Sequence, residues 1–274
     1  MSLVISRVLA IWLAAVTVPF TVAAVVAGTG YLDGGNASAR HVQSIAVNTR
    51  PLVRVTVFAG SLTVKTGPAG RVTLIEEDTV RGVLRGTVDD ALRQLHTSLT
   101  DTPDGATVTV PQESATAEAL ALAGPFSQHR DLTLEVPPDS SLGVSSGPAI
   151  VTLDGLHGPI QVAGSTGVIR LRHVSIDGSS RLRLARGAIS GSVDMAGGSL
   201  DAALADGFIQ LDVADAGQTH LQASTANGQL ILPESYGIAL TKLGSADSAD
   251  GTIRGAGGGG SLTLGLTTGV ISVR

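Results

Sequence analysis

Five glycines constrain this chain more than any other feature. Gly147, Gly167, Gly187, Gly207 and Gly228 follow one another at steps of 20, 20, 20 and 21 residues, and the last four open similar phrases: TGVIRLRHV, RGAISGSVD, DGFIQLDVA and NGQLILP. A unit this short cannot bury a core alone, so successive units must stack. The positions two, four and six after each glycine are predicted to point inward. Down the stack these are Ala149, Ile169, Ile189 and Ile209, then Val151, Leu171, Gly191 and Leu211, then Leu153, His173, Val193 and Val213. Thr152, Arg170, Arg172, Ser190, Ser192, Gln210 and Asp212 alternate with them and face out, as in a strand with one buried side. A second strand per unit is marked by Ile160 with Val162, Leu182 with Leu184, Leu200 with Leu204, and Leu221 with Ala223. The pairs DG, GS and AG supply the turns.

Composition agrees with thin aliphatic layers. Of 274 residues 35 are glycine, and aromatics are only 3%. There is no cysteine, which excludes disulfides and thiolate metal sites. A net charge of −5 argues against a nucleic-acid partner, which calls for a basic face.

Ahead of the repeats, Val8 to Ala27 carries no charge. As a helix it would be about 30 Å long, enough to cross a bilayer core. Arg7 precedes it and the next basic side chain is Arg40, so residues 1–7 are expected to be cytoplasmic and the remainder outside the cytoplasm. The chain is thus expected at the cell membrane, held by a single transmembrane anchor at 8–27. The alternative is a signal peptide cleaved near Ala27. Residues 28–41 read as a glycine-rich linker, and 42–274 as one extracytoplasmic domain.

SIAVNT, VRVTVFAG, SLTVKTG and RVTLIEED are alternating strands, compatible with two early coils. Residues 79–99 read equally as an amphipathic helix or as strand and loop. Residues 113–124, ESATAEALALAG, read as a helix-prone insertion, and DLTLEVP as another strand. After Pro233, ESYGIALTKL is one more strand, Ser245 to Gly260 a loop, and SLTLGLTTGVISVR a last coil capping the stack. The expected fold is all-β: a single-stranded β-solenoid or β-helix with coils of ~20 residues, preceded by one transmembrane helix.

SGPAIVTLDG, STGVIRLR, ARGAISGSV, ADGFIQLDV and TANGQLILPESYG, with the LEVP segment before them and the terminal TGVISVR, resemble the bacterial "putative-adhesin" domain family of unknown function, also described as a "toast-rack" β-solenoid. The resemblance covers Val42 to Arg274. It implies a β-solenoid, often tethered by an N-terminal membrane helix. It implies no catalytic residues, and the insertion at 113–124 departs from its pattern.

No motif for catalysis accompanies the repeat. GxSxG and GxxxxGK[ST] are absent, and the six histidines fall at 41, 96, 129, 157, 173 and 220 without a metal-ligand spacing. No cofactor is therefore expected, and no catalytic or metal-binding residue is assigned. His173 is expected at a coil corner, partly solvated. Asp194, Asp201, Asp206, Asp212 and Asp215 gather in neighbouring coils, as the paired carboxylates of a polysaccharide-active enzyme would, or as turn residues on a solvated face. Arg170, Arg172, Arg181, Arg183 and Arg186 form a possible anion-binding surface. A shift of 20 residues instead pairs Arg181 with Asp201 and Arg186 with Asp206 in adjacent coils. The functional expectation is a non-catalytic, membrane-tethered surface module of adhesin-like or scaffolding type, binding an envelope protein or polysaccharide. A regulatory partner in an envelope-stress system is the first alternative, and a polysaccharide-active enzyme the second.

Overall fold

A computed structural model of the chain describes residues 35–82, 97–110, 127–214, 218–254 and 259–274. The apolar stretch Val8–Ala27, the helix-or-strand question at 83–96, the insertion at 113–124 and Asp215 lie outside the described residues. The chain divides into two compact units. The larger holds Arg40–Glu77, His96–Glu113 and Arg130–Arg274. The smaller holds Met1–Ala39, Asp78–Leu95 and Ser114–His129, and is described only at three strand ends.

Apart from one 3-10 turn at Glu234–Tyr236, every regular element among the described residues is a β-strand. The strands are β1 (Gly35–Ala46), β2 (Leu52–Val57), β3 (Gly60–Thr66), β4 (Arg71–Gly82), β5 (Ser98–Thr102), β6 (Gly105–Thr109) and β7 (Ser127–Val136). They continue with β8 (Ser141–Asp154), β9 (Ile160–Ile176), β10 (Ser179–Ala214), β11 (Gln218–Ile231), β12 (Leu240–Leu243), β13 (Ala246–Arg254) and β14 (Gly259–Val273). The chain is all-β, and its strands join one open sheet in the order β1-β4-β7-β3-β8-β9-β10-β14-β11-β13-β12, with β2, β6 and β5 branching from β8.

β8, β9, β10, β14 and β11 pair in parallel, and between β9 and β10 one step equals one repeat: Arg181 lies opposite Gln161, Gly187 opposite Gly167, and Ile189 opposite Ile169. These long strands bend, β10 at two places because it supplies two rungs. In β10, Leu182 and Leu184 are buried, Ala185 and Arg186 are both exposed, and Ile189 is buried again. Two exposed residues in succession reverse the in–out alternation, so the strand turns a corner there. The same pattern recurs at Ala205 with Asp206, at Thr267 with Thr268, and at Ala226 with Asn227.

The glycine just after each corner has a steric cause. A Cβ on Gly187 would lie 1.8 Å from the carbonyl oxygen of Gly167, and one on Gly207 would lie 1.9 Å from that of Gly187. Both have positive φ, 128° and 137°, a region closed to most side chains. Behind the corner runs a column of fully buried side chains, Ile169, Ile189, Ile209 and Ile271, none more than 1% exposed. Each contributes about 1.5–3 kcal/mol by burial. The second inward set, with Ile160, Val162, Leu182, Leu184, Leu200, Leu204, Leu221 and Ala223, is buried as the period requires.

Several expectations are corrected. The C-terminal strand does not cap the stack. β14 lies between β10 and β11, with Gly269 opposite both Gly207 and Gly228. Its phrase matches every other rung, so it fits an interior slot as well as an end. Ser245–Gly260 is no simple loop: β13 pairs antiparallel with β11, and β12 with β13, because Ala249 and Ile253 complete the buried layer. ESYGIALTKL supplies the 3-10 turn and then only the short β12. Gly147 is not in the column of Gly167, which faces Ala149; Gly147 instead approaches the Phe58 carbonyl, where a Cβ would be 2.2 Å away. His173 is not inward. β9 carries one residue more than β10 between Leu171 and Val174, so Val174 takes the buried place, and His173 is pushed out with φ 50° and an 87% exposed side chain.

The early strands build one rung and an extension. β2 and β3 pair with the two halves of β8, whereas β7 adds beyond β3 and β6 beyond β2. In β4 the buried alternation Val72, Leu74 continues to Glu76, which is 1% exposed. Its carboxylate is held by Arg130 Nε at 3.5 Å and accepts from the Thr97 amide at 3.3 Å and the Thr97 hydroxyl at 2.5 Å. A buried carboxylate needs such partners.

Candidate binding face

The half-strands before the corners form one continuous surface. Its outward residues follow the stack rung by rung. One row runs Arg54, Gly143, Gln161, Arg181, Asp201, Thr263, Gln222 and Asp250. Beside it runs a row of mostly small side chains: Thr56, Ser145, Ala163, Arg183, Ala203, Gly265, Ser224 and Ser248. Small residues at successive rungs leave a furrow, and charged side chains divide it.

The first part, about 660 Å³, is lined by Arg54, Gln161, Arg181 and Arg183 over a floor that includes Gly143, Ser145 and Ala163. Among the described residues no carboxylate and no aromatic side chain lines it. The second part, about 690 Å³, begins at Arg183 and Asp201 and continues past Gln222 to Asp250. Between the two, Asp201 pairs with both arginines: its Oδ2 accepts a hydrogen bond from Arg183 Nη2 at 2.5 Å and lies 3.4 Å from Arg181 Nε in an ion pair. The pairing of Arg181 with Asp201 expected from the 20-residue shift is therefore present.

The five arginines read together from the sequence are only partly together. Arg181 and Arg183 share the furrow. Arg170 and Arg172 lie beyond the corner of β9, opposite Thr152 and Asp154, and Arg186 is on the corner of β10. Arg54, more than a hundred residues upstream of Arg181, joins the furrow instead, and Gln161 stands between them. The sequence reading missed both: Arg54 because β2 precedes the glycine period, and Gln161, on β9, because it carries no charge. Of the aspartates, Asp201 is tied to two arginines, Asp206 sits on a corner, and Asp212 lies beyond it, near enough to Tyr236 to help burial raise that hydroxyl's pKa. His173 Nδ1 is 3.6 Å from Asp154 Oδ1, and His220 Nε2 is 3.5 Å from Asp250 Oδ1. Among the described residues no three His, Asp or Glu side chains are grouped as a metal site requires.

No family model matches the sequence, and no curated protein matches it. Three solved structures of bacterial proteins are similar to it over most of the chain. One is a "putative cell adhesion protein" from Clostridium sporogenes, with 7% identity and a TM-score of 0.41 over 86% of this chain and 99% of that one. Another is a "putative adhesin" from Bacteroides fragilis, with 9% identity and a TM-score of 0.28 over 86% and 97%. A third is a "putative lipid binding protein" from Parabacteroides distasonis, with 11% identity and a TM-score of 0.32 over 86% and 96%.

The arginine–aspartate ridge is a surface feature, with side chains 66%, 47% and 33% exposed for Arg181, Arg183 and Asp201. A double-mutant cycle of Arg181→Ala and Asp201→Ala is expected to give a coupling of at most about 1 kcal/mol, shrinking with salt. Denaturant unfolding of the four proteins measures it. A coupling several times larger would mean the ridge governs stability rather than the surface.

Proposed function

We propose that this chain is a non-catalytic binding module: a membrane-tethered β-solenoid that presents its furrowed face to a macromolecule of the cell envelope. The observation that carries the reading is the row of mostly small side chains, interrupted at Arg183, that runs beside a polar row along that face from Thr56 on β2 to Ser248 on β13. Parallel rungs about 4.8 Å apart make such a surface stiff and repetitive, which suits a linear partner lying along the stack. The placement of the aspartates supports binding without turnover. Asp201 is neutralised by arginines, and the corner separates it from Asp212, so these two carboxylates do not face each other across one furrow. Tethering through Val8–Ala27 would fix the domain beside the membrane.

The full-length chain, purified in mild detergent, is expected to be retained by cell-envelope fractions and to leave the retained polymer unshortened. Absence of retention would sink the binding reading. Release of shortened chains, lost on Asp201→Asn, would replace it with an enzyme.

A further inference from the structure

We infer that the first furrow is a site for a linear acidic polysaccharide, one bearing carboxylates along an extended chain. The inference rests on the binding-module reading and names its ligand class. Arg54 and Arg181 occupy the same outward row three rungs apart, with Gly143 and Gln161 between them. Three strand spacings put the two positions about 14 Å apart along the stack. Arg183 stands beside Arg181, and Ala163 beside Gln161. The furrow therefore has a cationic group at each end and a low, polar floor between.

Charge selects the ligand first. Asp201 offsets one of the two arginines on its ridge, and no carboxylate among the described residues lines the furrow itself, so positive charge is left in excess. Exposed guanidinium groups bind carboxylates through paired N–H donors. The described lining residues include no aromatic, and so no stacking platform on which a neutral sugar chain would depend. The direction of the furrow then separates a glycan from a peptide. It crosses the strands, whose backbone groups already pair with neighbours on both sides, so an acidic peptide would find no sheet edge to extend. A polysaccharide needs none, since its hydroxyls can pair with Gln161 and Ser145 while its carboxylates meet the arginines.

The test uses the full-length chain in detergent with polygalacturonate as probe, and dextran, poly-L-glutamate and inorganic polyphosphate beside it. Polygalacturonate is expected to bind and dextran not. Arg54→Gln and Arg181→Gln should each weaken binding about fivefold, the scale of one exposed charge pair. Raising salt from about 0.05 M to about 0.5 M should abolish it as the charges are screened. Arg170→Gln and Arg172→Gln, beyond the corner, should change nothing. Three outcomes would overturn the assignment: dextran binding equally well, poly-L-glutamate or polyphosphate binding more tightly with the same dependence on Arg54, or arginine variants at 54 and 181 that bind like the parent. If envelope fractions retain the chain and its Arg54 variant alike, the furrow assignment falls while the binding-module reading stands. If neither probe nor envelope fraction binds, both fall.

Discussion

Gly187→Ala is expected to lower the melting temperature by about 10 °C, although it adds a single methyl group. The new Cβ would stand 1.8 Å from the Gly167 carbonyl oxygen, and the backbone there has φ 128°. Forcing an L side chain into that region costs roughly 1–3 kcal/mol, and overpacking against a backbone atom about 1–3 kcal/mol more. The strand cannot move away freely, because Gly187 is itself the floor for Gly207, whose Cβ position is 1.9 Å from the Gly187 carbonyl oxygen. Relief at one rung is thus passed to the next. Gly143→Ala is the control: it has no positive φ, and its nearest neighbour would be the Val53 carbonyl oxygen at 4.0 Å. Thermal unfolding followed by circular dichroism should separate the two clearly. A fall of less than about 2 °C for Gly187→Ala, the effect of under 1 kcal/mol in a domain of this size, would refute the steric account of the repeat.

That steric account also explains what could be read from the sequence. The glycine period was legible because the same contact recurs at each corner, and only glycine satisfies it. The inward columns were legible because alternation holds along most half-strands, although Thr152, read as facing out, is buried between Val151 and Leu153. The order of the rungs was not. A phrase such as TGVISV fits above or below any similar phrase, so nothing local says that Gly269 belongs between Gly207 and Gly228. His173 escaped because one inserted residue shifts the alternation by one. The paired residues Arg181 and Asp201 lay a full repeat apart and could be found. Arg170 and Arg172 were grouped with them because they are neighbours along the chain, although they stand beyond the corner of β9, and Arg54 was left out because β2 belongs to the stack without carrying its glycine phrase. Glu76 had a visible signal, a carboxylate at the buried parity of Val72 and Leu74, but its partners Thr97 and Arg130 are far along the chain.

The placement of β14 leads to the largest expected effect. A chain ending at Arg254 should lose most of its stability, whereas removing Arg274 alone, which is exposed, should cost little. β14 contributes Leu262, Leu264, Leu266, Ile271 and Val273, each 4% exposed or less. At about 2 kcal/mol for each, their burial amounts to about 10 kcal/mol, comparable with the whole stability of a domain. The strand also pairs on both sides, with β10 and with β11, so its removal leaves two ladders open. The truncated chain should show no cooperative unfolding transition, or one at least about 15 °C lower, and a peptide spanning Gly259–Arg274 should restore part of it. One result would contradict this: a truncated chain that melts near the parent temperature. It would mean that β11 closes directly onto β10, with Gly228 over Gly207 as the 21-residue step alone suggests, and that the last strand enters a stack able to form without it.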